Sequence, residues 1–356
     1  MRALAILALA CGIAHAAQDV PDVLQRPALQ SARAASSALL AIARAGKRLV
    51  SVGERGIIVL SDDDGKTWRQ AKVPVSVSLT NVRFVSEREG WAVGHSGVVL
   101  RSDDGGETWS RQLDGVQAAA LVLDAARAKA RTGATQDARA LADAERLVTD
   151  GPDKPLLDVH FSDERHGLVV GAYGLAFATE DGGKTWRSWV DRIPNPRGKH
   201  LYRIQALGSR LFIAGEQGAL FRSDDGGNAF AAVTTPYAGS YFGVVAGTND
   251  ELLVFGLRGN AWWSGDAGQH WQKVDSGSPA PLVDSLRLVD GTLLLIDQAG
   301  QALVSRDQGR SLRRVSLDEA SPTSGVTQAA DGTLVVCGLR GVRRVSLSAK
   351  PADPKA

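Results

Sequence analysis

Cysteine is nearly absent from this chain, whose 356 residues include two, Cys11 and Cys337. Cys11 lies in an apolar N-terminal run, and if that run is removed as a leader, Cys337 remains alone. A single thiol excludes an intramolecular disulfide and a cysteine-based metal cluster. Cys337 stands in the apolar stretch L-V-V-C-G, where a buried thiol acting as a small hydrophobic side chain is typical.

An excess of one charge is also missing: 41 Lys and Arg face 39 Asp and Glu. This balance argues against the strongly basic surface of a nucleic-acid-binding protein. Long hydrophobic runs are absent too, because the longest, Ala3–Ala14, falls short of the roughly 20 residues that span a bilayer. We therefore expect no nucleic-acid partner and at most a peripheral association with membranes.

The N-terminus carries an export signal. Met1-Arg2, the apolar run and the A-H-A sequence ending at Ala16 match the three regions of a secretory signal peptide. We predict that residues 1–16 are this leader and that the mature protein is periplasmic or secreted. Cys11 after Leu9-Ala10 leaves lipidation open as an alternative, which we favour less than cleavage after Ala16.

An octapeptide of the form S-x-D-x-G-x-T-W dominates the rest of the chain. It recurs, with variations, from Ser61, Ser102, Thr179, Ser223, Ser264 and Ser305, at intervals of 41, 77, 44, 41 and 41 residues. A G-x-x-G signal precedes the copies by eight residues, degrades at Asp297/Gly300 and recurs as a seventh case at Gly338/Gly341. Each unit has room for four short strands, named A to D here, which is the signature of a β-propeller blade.

The sequence thus predicts an all-β fold, a seven-bladed β-propeller over residues 17–348 with a disordered tail at 349–356. The last unit ends after its strand C, so we expect the segment near Val20 to Gln25 to supply its outer strand and close the ring. Such closure removes exposed sheet edges.

The octapeptide resembles the Asp-box (BNR) repeat, which implies a turn between strands C and D on the outer rim. Its carboxylate is expected to bond its own turn, and its aromatic residue to pack between blades. No copy has the alternating ligands of a calcium loop, and we predict no metal and no cofactor. The residues given this structural role are Asp63, Trp68, Asp104, Trp109, Asp181, Trp186, Asp225, Asp266, Trp271 and Asp307.

The opposite face, made of B–C turns and D–A connections, is where we expect binding. The candidate residues are Arg55, His95, Tyr173, Gln217, Arg258 and Arg340 in the turns, and Arg192 and Tyr202 in the connections. Arg55, Arg258 and Arg340 belong to units one, five and seven, which we expect to adjoin when the ring closes. Three guanidiniums together would clamp carboxylates; solvated loop arginines are the equally weighted alternative.

An Ala-rich insertion breaks the repeat between the second and third octapeptides. Residues 115–152 lack proline until Pro152 and are divided by Thr132-Gly133, which predicts a hairpin of two helices. It falls in a D–A connection, so it is either a partner-docking arm or lid, or a tolerated surface insertion.

Residues 91–109 read W-A-V-G-H-S-G-V-V-L-R-S-D-D-G-G-E-T-W. This blade pattern resembles the photosystem II assembly and stability factor family of exported seven-bladed propellers. That resemblance implies a non-enzymatic scaffold whose partner is a protein, specifically a membrane protein or transporter complex, and we expect a monomer. The alternative is a glycan-binding or sialidase-like hydrolase. Sialidases carry R-I-P ahead of the first box, whereas Arg192-Ile193-Pro194 follows the third, and none of the four tyrosines stands in a recognisable Tyr/Glu frame.

Overall fold

The structure is a computed structural model that describes residues 22–131, 135–319 and 321–351, without the side chains of 132–137 and 348–351. Seven antiparallel sheets surround a central channel, and the sequence prediction of a seven-bladed propeller is confirmed. Glycine and Asx turns bound apolar runs whose two faces are both buried between neighbouring blades. The predicted leader at 1–16 lies outside the described residues.

The first four blades each contain four strands in sequence order. Blades one and two contain β1 (Leu39–Ala45), β2 (Arg48–Gly53), β3 (Ile58–Ser61), β4 (Arg69–Gln70), β5 (Leu79–Phe84), β6 (Gly90–Gly94), β7 (Val99–Ser102) and β8 (Ser110–Leu113). Blades three and four contain β9 (Leu156–Phe161), β10 (Gly167–Gly171), β11 (Ala176–Thr179), β12 (Arg187–Ser188), β13 (Leu201–Leu207), β14 (Arg210–Gly215), β15 (Leu220–Ser223) and β16 (Ala231–Ala232).

The last three blades differ in strand number. Blade five contains β17 (Tyr241–Ala246), β18 (Leu252–Gly256), β19 (Ala261–Ser264) and β20 (Gln272–Val274). Blade six contains β21 (Leu282–Arg287), β22 (Leu293–Asp297), β23 (Ala302–Ser305) and β24 (Arg313–Leu317), and blade seven contains β25 (Thr323–Gln328), β26 (Leu334–Gly338) and β27 (Gly341–Val345). A final strand, β28 (Leu347–Pro351), pairs with β24 as a fifth strand of blade six.

The predicted closure of blade seven by the N-terminal segment is wrong for the described residues, in which that blade has three strands. Val20 and Pro21 lie outside them, and Asp22–Gln25 form a turn beside blades one and two. The Ser76 N–H donates to the Val23 carbonyl at 2.9 Å, and Arg111 donates to the Leu24 carbonyl at 2.6 Å. Leu24 is buried in an apolar cluster formed by residues of blades one and two, including Val73 and Leu100. This burial holds the segment away from β27. The predicted disordered tail is likewise wrong for residues 349–351, which lie in β28.

The ring closes instead through side chains. Trp68 of blade one packs against Ala329 and Val335 of blade seven. The Ala330 N–H donates to Asp64 Oδ1 at 3.0 Å, and Arg344 donates to the Asp64 carbonyl. Burial of apolar surface, worth roughly 25 cal/mol per Å², is therefore the main attraction across this seam.

The insertion forms the predicted helical hairpin, α1 (Gly115–Ala130) and α2 (Thr135–Asp150). Asp114 caps α1 by accepting the Val116 and Gln117 N–H groups at 3.0 Å, while Gln117 Oε1 accepts the Asp114 N–H at 3.2 Å. This capping box fixes where the helix begins. None of the helices in the described part of the chain is long and apolar enough to span a membrane.

The hairpin packs onto blade three. Ala118, Leu121 and Leu147 join the cluster that contains Phe177 and Trp186, and Lys129 forms an ion pair with Asp191 at 2.7 Å. These contacts place the helices against a blade, so the insertion is docked on the body of the propeller and does not stand free as an arm.

Candidate protein-binding face

The B–C turns share one backbone geometry in the first five blades. The residue after the first turn position has positive φ in each: Arg55 (53°), Ser96 (56°), Tyr173 (56°), Gln217 (52°) and Arg258 (57°). A glycine with positive φ follows, and the next N–H closes the turn, for example Ile57 onto the Glu54 carbonyl at 2.9 Å. Two successive left-handed residues are the type I′ pattern, for which Asn-Gly is the usual choice. Non-glycine residues at positive φ are uncommon and concentrate at functional sites.

Each of these turns is fixed against the D–A connection that precedes its own blade. The His95 N–H donates to the Ser78 carbonyl at 2.8 Å, and the Glu54 N–H to the Ala38 carbonyl at 3.0 Å. Gly56 is required here, since an added Cβ would lie 2.1 Å from the Val75 carbonyl oxygen. The turns and connections thus form one rigid surface, called the turn face below.

The turn face exposes most of the predicted residues. Arg55, His95, Tyr173, Gln217, Arg258 and Arg340 are exposed, and Tyr173 retains 60% of its accessible surface. The expected cluster of three arginines is wrong, because blade six separates Arg258 in blade five from Arg340 in blade seven. Arg55 and Arg340 belong to adjoining blades, so a two-arginine edge remains.

Aromatic side chains form a row across blades three to five. Ring centres are 4.9 Å apart for Tyr173 and His200, 6.3 Å for His200 and Tyr202, and 5.4 Å for Tyr202 and Phe242, all edge to face. The Tyr173 N–H donates to His200 Nδ1 at 2.9 Å, which fixes the imidazole. Lys154 Nζ lies 5.4 Å from the Tyr173 ring centre. This row is an amphipathic ledge of the kind enriched in protein interfaces.

The row meets the channel at the second residue of each inner strand. Tyr202 and Phe242 occupy that position in blades four and five, with Leu40, Leu157 and Val283 at the same position in other blades, all half-buried. Burial raises the pKa of Tyr202, and the Glu216 carboxylate adds to the rise. The channel mouth is therefore apolar on several sides. Sequence reasoning missed Phe242 and these aliphatic residues, whose signal is an apolar second residue in the inner strand of five of the seven described blades.

Three other residues fall away from this surface. Arg192 lies on the outer wall, where its carbonyl accepts the Phe230 N–H at 2.9 Å and its guanidinium is 5.2 Å from the Trp189 ring centre. Ile193 of the R-I-P sequence is buried. Tyr241 is fully buried, and burial raises its pKa to about 12, so its phenol is not offered to a ligand.

The octapeptides form C–D turns on the opposite face, called the box face. In blade two, Ser102 Oγ donates to Asp104 Oδ1 at 2.8 Å, the Thr108 N–H to the same oxygen at 3.0 Å, and Thr108 Oγ1 to Oδ2 at 2.5 Å. Trp109 is buried and donates its indole N–H to the Gly106 carbonyl at 2.9 Å. The carboxylates at Asp63, Asp181, Asp225, Asp266 and Asp307 accept equivalent bonds.

Those bonds lower the pKa of the carboxylates. Burial acts to raise the pKa of Asp181, but hydrogen bonds from Thr185 and Thr179 outweigh it and lower the value to about 2. The backbone and side chain of His270 do the same for Asp266, also to about 2. A carboxylate whose oxygens are occupied in this way is a poor general acid and a poor free ligand.

A polar belt of Asn81, Asp158, Arg203 and Asp284 crosses the channel wall. Each is the third residue of its inner strand, in blades two, three, four and six. Asp158 is fully buried and accepts the Asn81 amide N–H at 2.5 Å, the Val159 N–H at 2.9 Å and the Ile204 N–H at 2.6 Å. Burial raises the pKa of Asp158, while Arg203 and Arg83 oppose that rise.

The belt passes over blade five. Arg203 forms an ion pair with Asp284, and the intervening position in blade five is Gly243, which has no side chain to block the path. Asp284 Oδ2 also accepts the Val326 N–H of blade seven at 3.0 Å. These groups tie inner strands together. Sequence reasoning missed them, although a charged residue within an apolar strand such as L-L-D-V-H-F was the available signal.

Other sites are less developed. A groove of about 360 Å³ is lined by Trp68 and by Gln30, Ser31, Ala32, Ala34 and Ala35. Within the described ranges, no three His, Cys, Asp or Glu side chains are placed to hold a metal ion. The turn face, with its strained turns and aromatic row, is the best-defined candidate surface.

Comparison with known proteins identifies similar chains. The family model described as "Photosynthesis system II assembly factor YCF48" matches residues 60–124 and 143–301, more than half of the chain. "Photosystem II assembly lipoprotein Ycf48" of Synechococcus sp. (strain CC9902) is 28% identical over 139 residues, which cover 38% of this chain and 41% of that protein. The chain thus spans about two fifths of the length of that relative.

Solved structures share the fold. "YCF48 bound to D1 peptide" superposes with a TM-score of 0.61 at 14% identity, covering 93% of this chain and 99% of the other. A streptogramin B lyase superposes with a TM-score of 0.66 at 13% identity, covering 92% and 100%. At such identities the similarity establishes the propeller and leaves the chemistry open.

Proposed function

The chain belongs to the photosynthesis system II assembly factor YCF48 family, and from this premise we propose that it is an exported, non-enzymatic scaffold that binds a membrane protein through the turn face. One observation carries the proposal: five blades project non-glycine side chains from left-handed turn positions on the face that also carries the aromatic row, whereas the octapeptide turns hold three such residues, Asp64, Ala267 and Gln308. Side chains held in costly conformations are retained where they serve recognition.

The chemistry of the face fits a protein segment better than a small substrate. The Tyr173–Phe242 row offers amphipathic rings, the half-buried aliphatic residues offer an apolar channel mouth, and Arg55 and Arg340 offer a cationic edge. Aromatic and arginine residues are the common anchors of protein interfaces. A relative is named an assembly lipoprotein, and a structural neighbour is a YCF48 bound to a D1 peptide; both names support a membrane-protein partner and export.

The same features argue against the hydrolase alternative. Tyr241 is buried with a raised pKa, and the box carboxylates are occupied by their own turns. Tyr202 lies near Glu216, but burial and that carboxylate raise its pKa, which disfavours the ionised phenol that a nucleophile requires. The lyases among the structural neighbours share only the fold. We therefore assign binding, without turnover, to the turn face.

Site-specific photo-crosslinking in the native host tests the proposal. We expect p-benzoyl-phenylalanine at Tyr173 to crosslink a defined integral membrane protein, and Arg55→Glu with Arg340→Glu to weaken that crosslink at least tenfold. The matched control places the probe at His270, an exposed ring on the box face whose side chain is 90% accessible.

Crosslinks from His270 and none from Tyr173 would place the interface on the box face and refute the proposal. Hydrolysis of a fluorogenic sialoside by the purified protein would overturn the non-enzymatic assignment.

A further inference from the structure

The channel wall below the belt carries charge of one sign. The three residues that follow the belt position in every inner strand contain Arg44, Arg83, Arg287 and His160 and no carboxylate. They are Ile42–Arg44, Val82–Phe84, Val159–Phe161, Ile204–Ala206, Val244–Ala246, Ser285–Arg287 and Val326–Gln328. The acidic groups of the channel therefore lie in the belt, where they are already paired.

Arg83, His160 and Gln205 stand at one level in consecutive blades. Each is the middle residue of its trio, and they pair with Trp91, Leu168 and Phe212 on the neighbouring strands. Arg83 is exposed, and His160 and Gln205 are half-buried, while the residues before them in sequence, Val82, Val159 and Ile204, are buried between blades. The three side chains thus form an arc along the accessible channel wall.

Arg83 has no partner of its own. In the described part of the chain it makes no hydrogen bond and no ion pair, whereas Arg44 and Arg287 each donate to backbone carbonyls. Desolvation lowers the pKa of Arg83 and the Arg203 charge lowers it further, while the Asp158 and Asp284 charges oppose that fall without forming an ion pair with it. Arg83 is exposed to the channel, so its unpaired guanidinium is accessible to an anion that enters there.

His160 adds a neutral donor. Desolvation and the Arg83 charge lower its pKa to about 4, so the imidazole is uncharged at neutral pH and one ring N–H is available to donate. Gln205 uses one amide N–H on the Ala206 carbonyl at 2.8 Å and keeps a second. The arc therefore offers one positive charge and two neutral donors.

We propose that Arg83, His160 and Gln205 form a binding site for a carboxylate within the propeller channel. A planar guanidinium binds a carboxylate through two parallel N–H···O bonds. One formal charge matches a monoanion, which favours a monocarboxylate over sulfate. The carboxylate belongs either to a free small acid or to an Asp or Glu side chain of the partner. The second possibility rests on the proposed function, in which the propeller binds a membrane protein.

Titration of ¹⁵N-histidine-labelled mature protein by NMR tests the site, with sodium propionate as the probe and sodium sulfate at equal ionic strength as the comparison. Saturating propionate is expected to raise the His160 pKa by about one unit, since an opposite charge within 4–6 Å has this effect. Arg83→Gln is expected to weaken propionate binding at least tenfold. Arg44→Gln, which removes a channel charge outside the arc, is expected to change it less than twofold.

Equal losses in the two variants would overturn the site, as would binding that is unchanged in Arg83→Gln, or sulfate binding as tight as propionate. Competition by propionate against the Tyr173 crosslink, reproduced by Arg83→Gln, would assign the carboxylate to the partner. Propionate binding without competition would assign it to a free acid. Failure of the crosslink itself would refute the proposed function and leave the NMR result standing.

Discussion

The ion pair between Arg203 and Asp284 makes a quantitative prediction. Its side chains keep only 15% and 14% of their accessible surface, and replacing Arg203 by Met leaves Asp284 with a single donor, the Val326 N–H. Breaking a buried pair in this way typically costs about 3–5 kcal/mol. Arg83 acts on Asp284 at longer range, so we expect the low end, about 3 kcal/mol.

Thermal denaturation at a fixed scan rate measures this cost. An unfolding entropy of 2.1 cal/mol/K per residue over roughly 330 folded residues gives about 0.7 kcal/mol/K, so a loss of about 3 kcal/mol lowers Tm by about 4 °C. The control is the double variant Arg203→Met with Asp284→Leu, which removes both charges and is expected to recover part of the loss. A Tm change below about 1 °C in the single variant would refute the argument that the pair crosses a desolvated part of the channel.

Three further outcomes follow from the geometry. Gly56→Ala is expected to lower the free energy of unfolding in urea by more than about 1 kcal/mol, because Gly56 has a φ of +73° and an added Cβ would meet the Val75 carbonyl. Gly208→Ala is the control, since Gly208 has a φ of +60° but open space around it and so reports backbone strain alone. Equal losses in the two variants would contradict the close approach at Gly56. The pKa of Asp181 is lowered to about 2 in the folded protein, so its contribution to folding stability is present above the unfolded pKa near 4 and is lost as the pH falls from about 4 to 2. Asp181→Asn should therefore flatten the fall of the urea midpoint between these pH values. An unchanged slope in that variant would contradict the argument. Burial raises the pKa of Cys337 to about 12, so an aromatic disulfide reagent at pH 8 should react with it only in denaturant, and rapid reaction of the native protein would contradict the buried position.

The repeat made the propeller predictable, because the octapeptide and the glycine pair mark the two ends of strand C in the first five blades, and one of the two signals persists in blades six and seven. The helical insertion was predictable from alanine content and the Thr132-Gly133 interruption. Contacts between segments that are distant in the chain were not predictable from the sequence. The separation of Arg258 from Arg340 already follows from the chain order of the units, because unit six lies between them. The path of Asp22–Gln25, in contrast, depended on burial of Leu24 in a cluster formed by two blades.

The polar belt shows the same limit at single residues. Asp158, Arg203 and Asp284 come from inner strands that are distant in sequence, and their pairing depends on Gly243 in a strand between them. A periodicity argument assigns each residue to a strand face and leaves the partner on another blade undetermined. For the same reason, the sequence did not predict that Arg83 and His160 lie close together in the channel.

The seam between the first and last blades determines the order in which this ring loses structure. Each blade contacts mainly its two neighbours, so stability accumulates along the ring as in a linear array of repeats. Blades seven and one are not consecutive in the chain, so side-chain contacts alone join the described parts of the two: Trp68, Asp64 and Arg344 at one edge, and a buried cluster of Leu39, Val59 and Cys337. A pulling force applied at the C-terminus should first detach β28 from β24 and then release blade seven as a unit, before the blades that have a consecutive neighbour on each side.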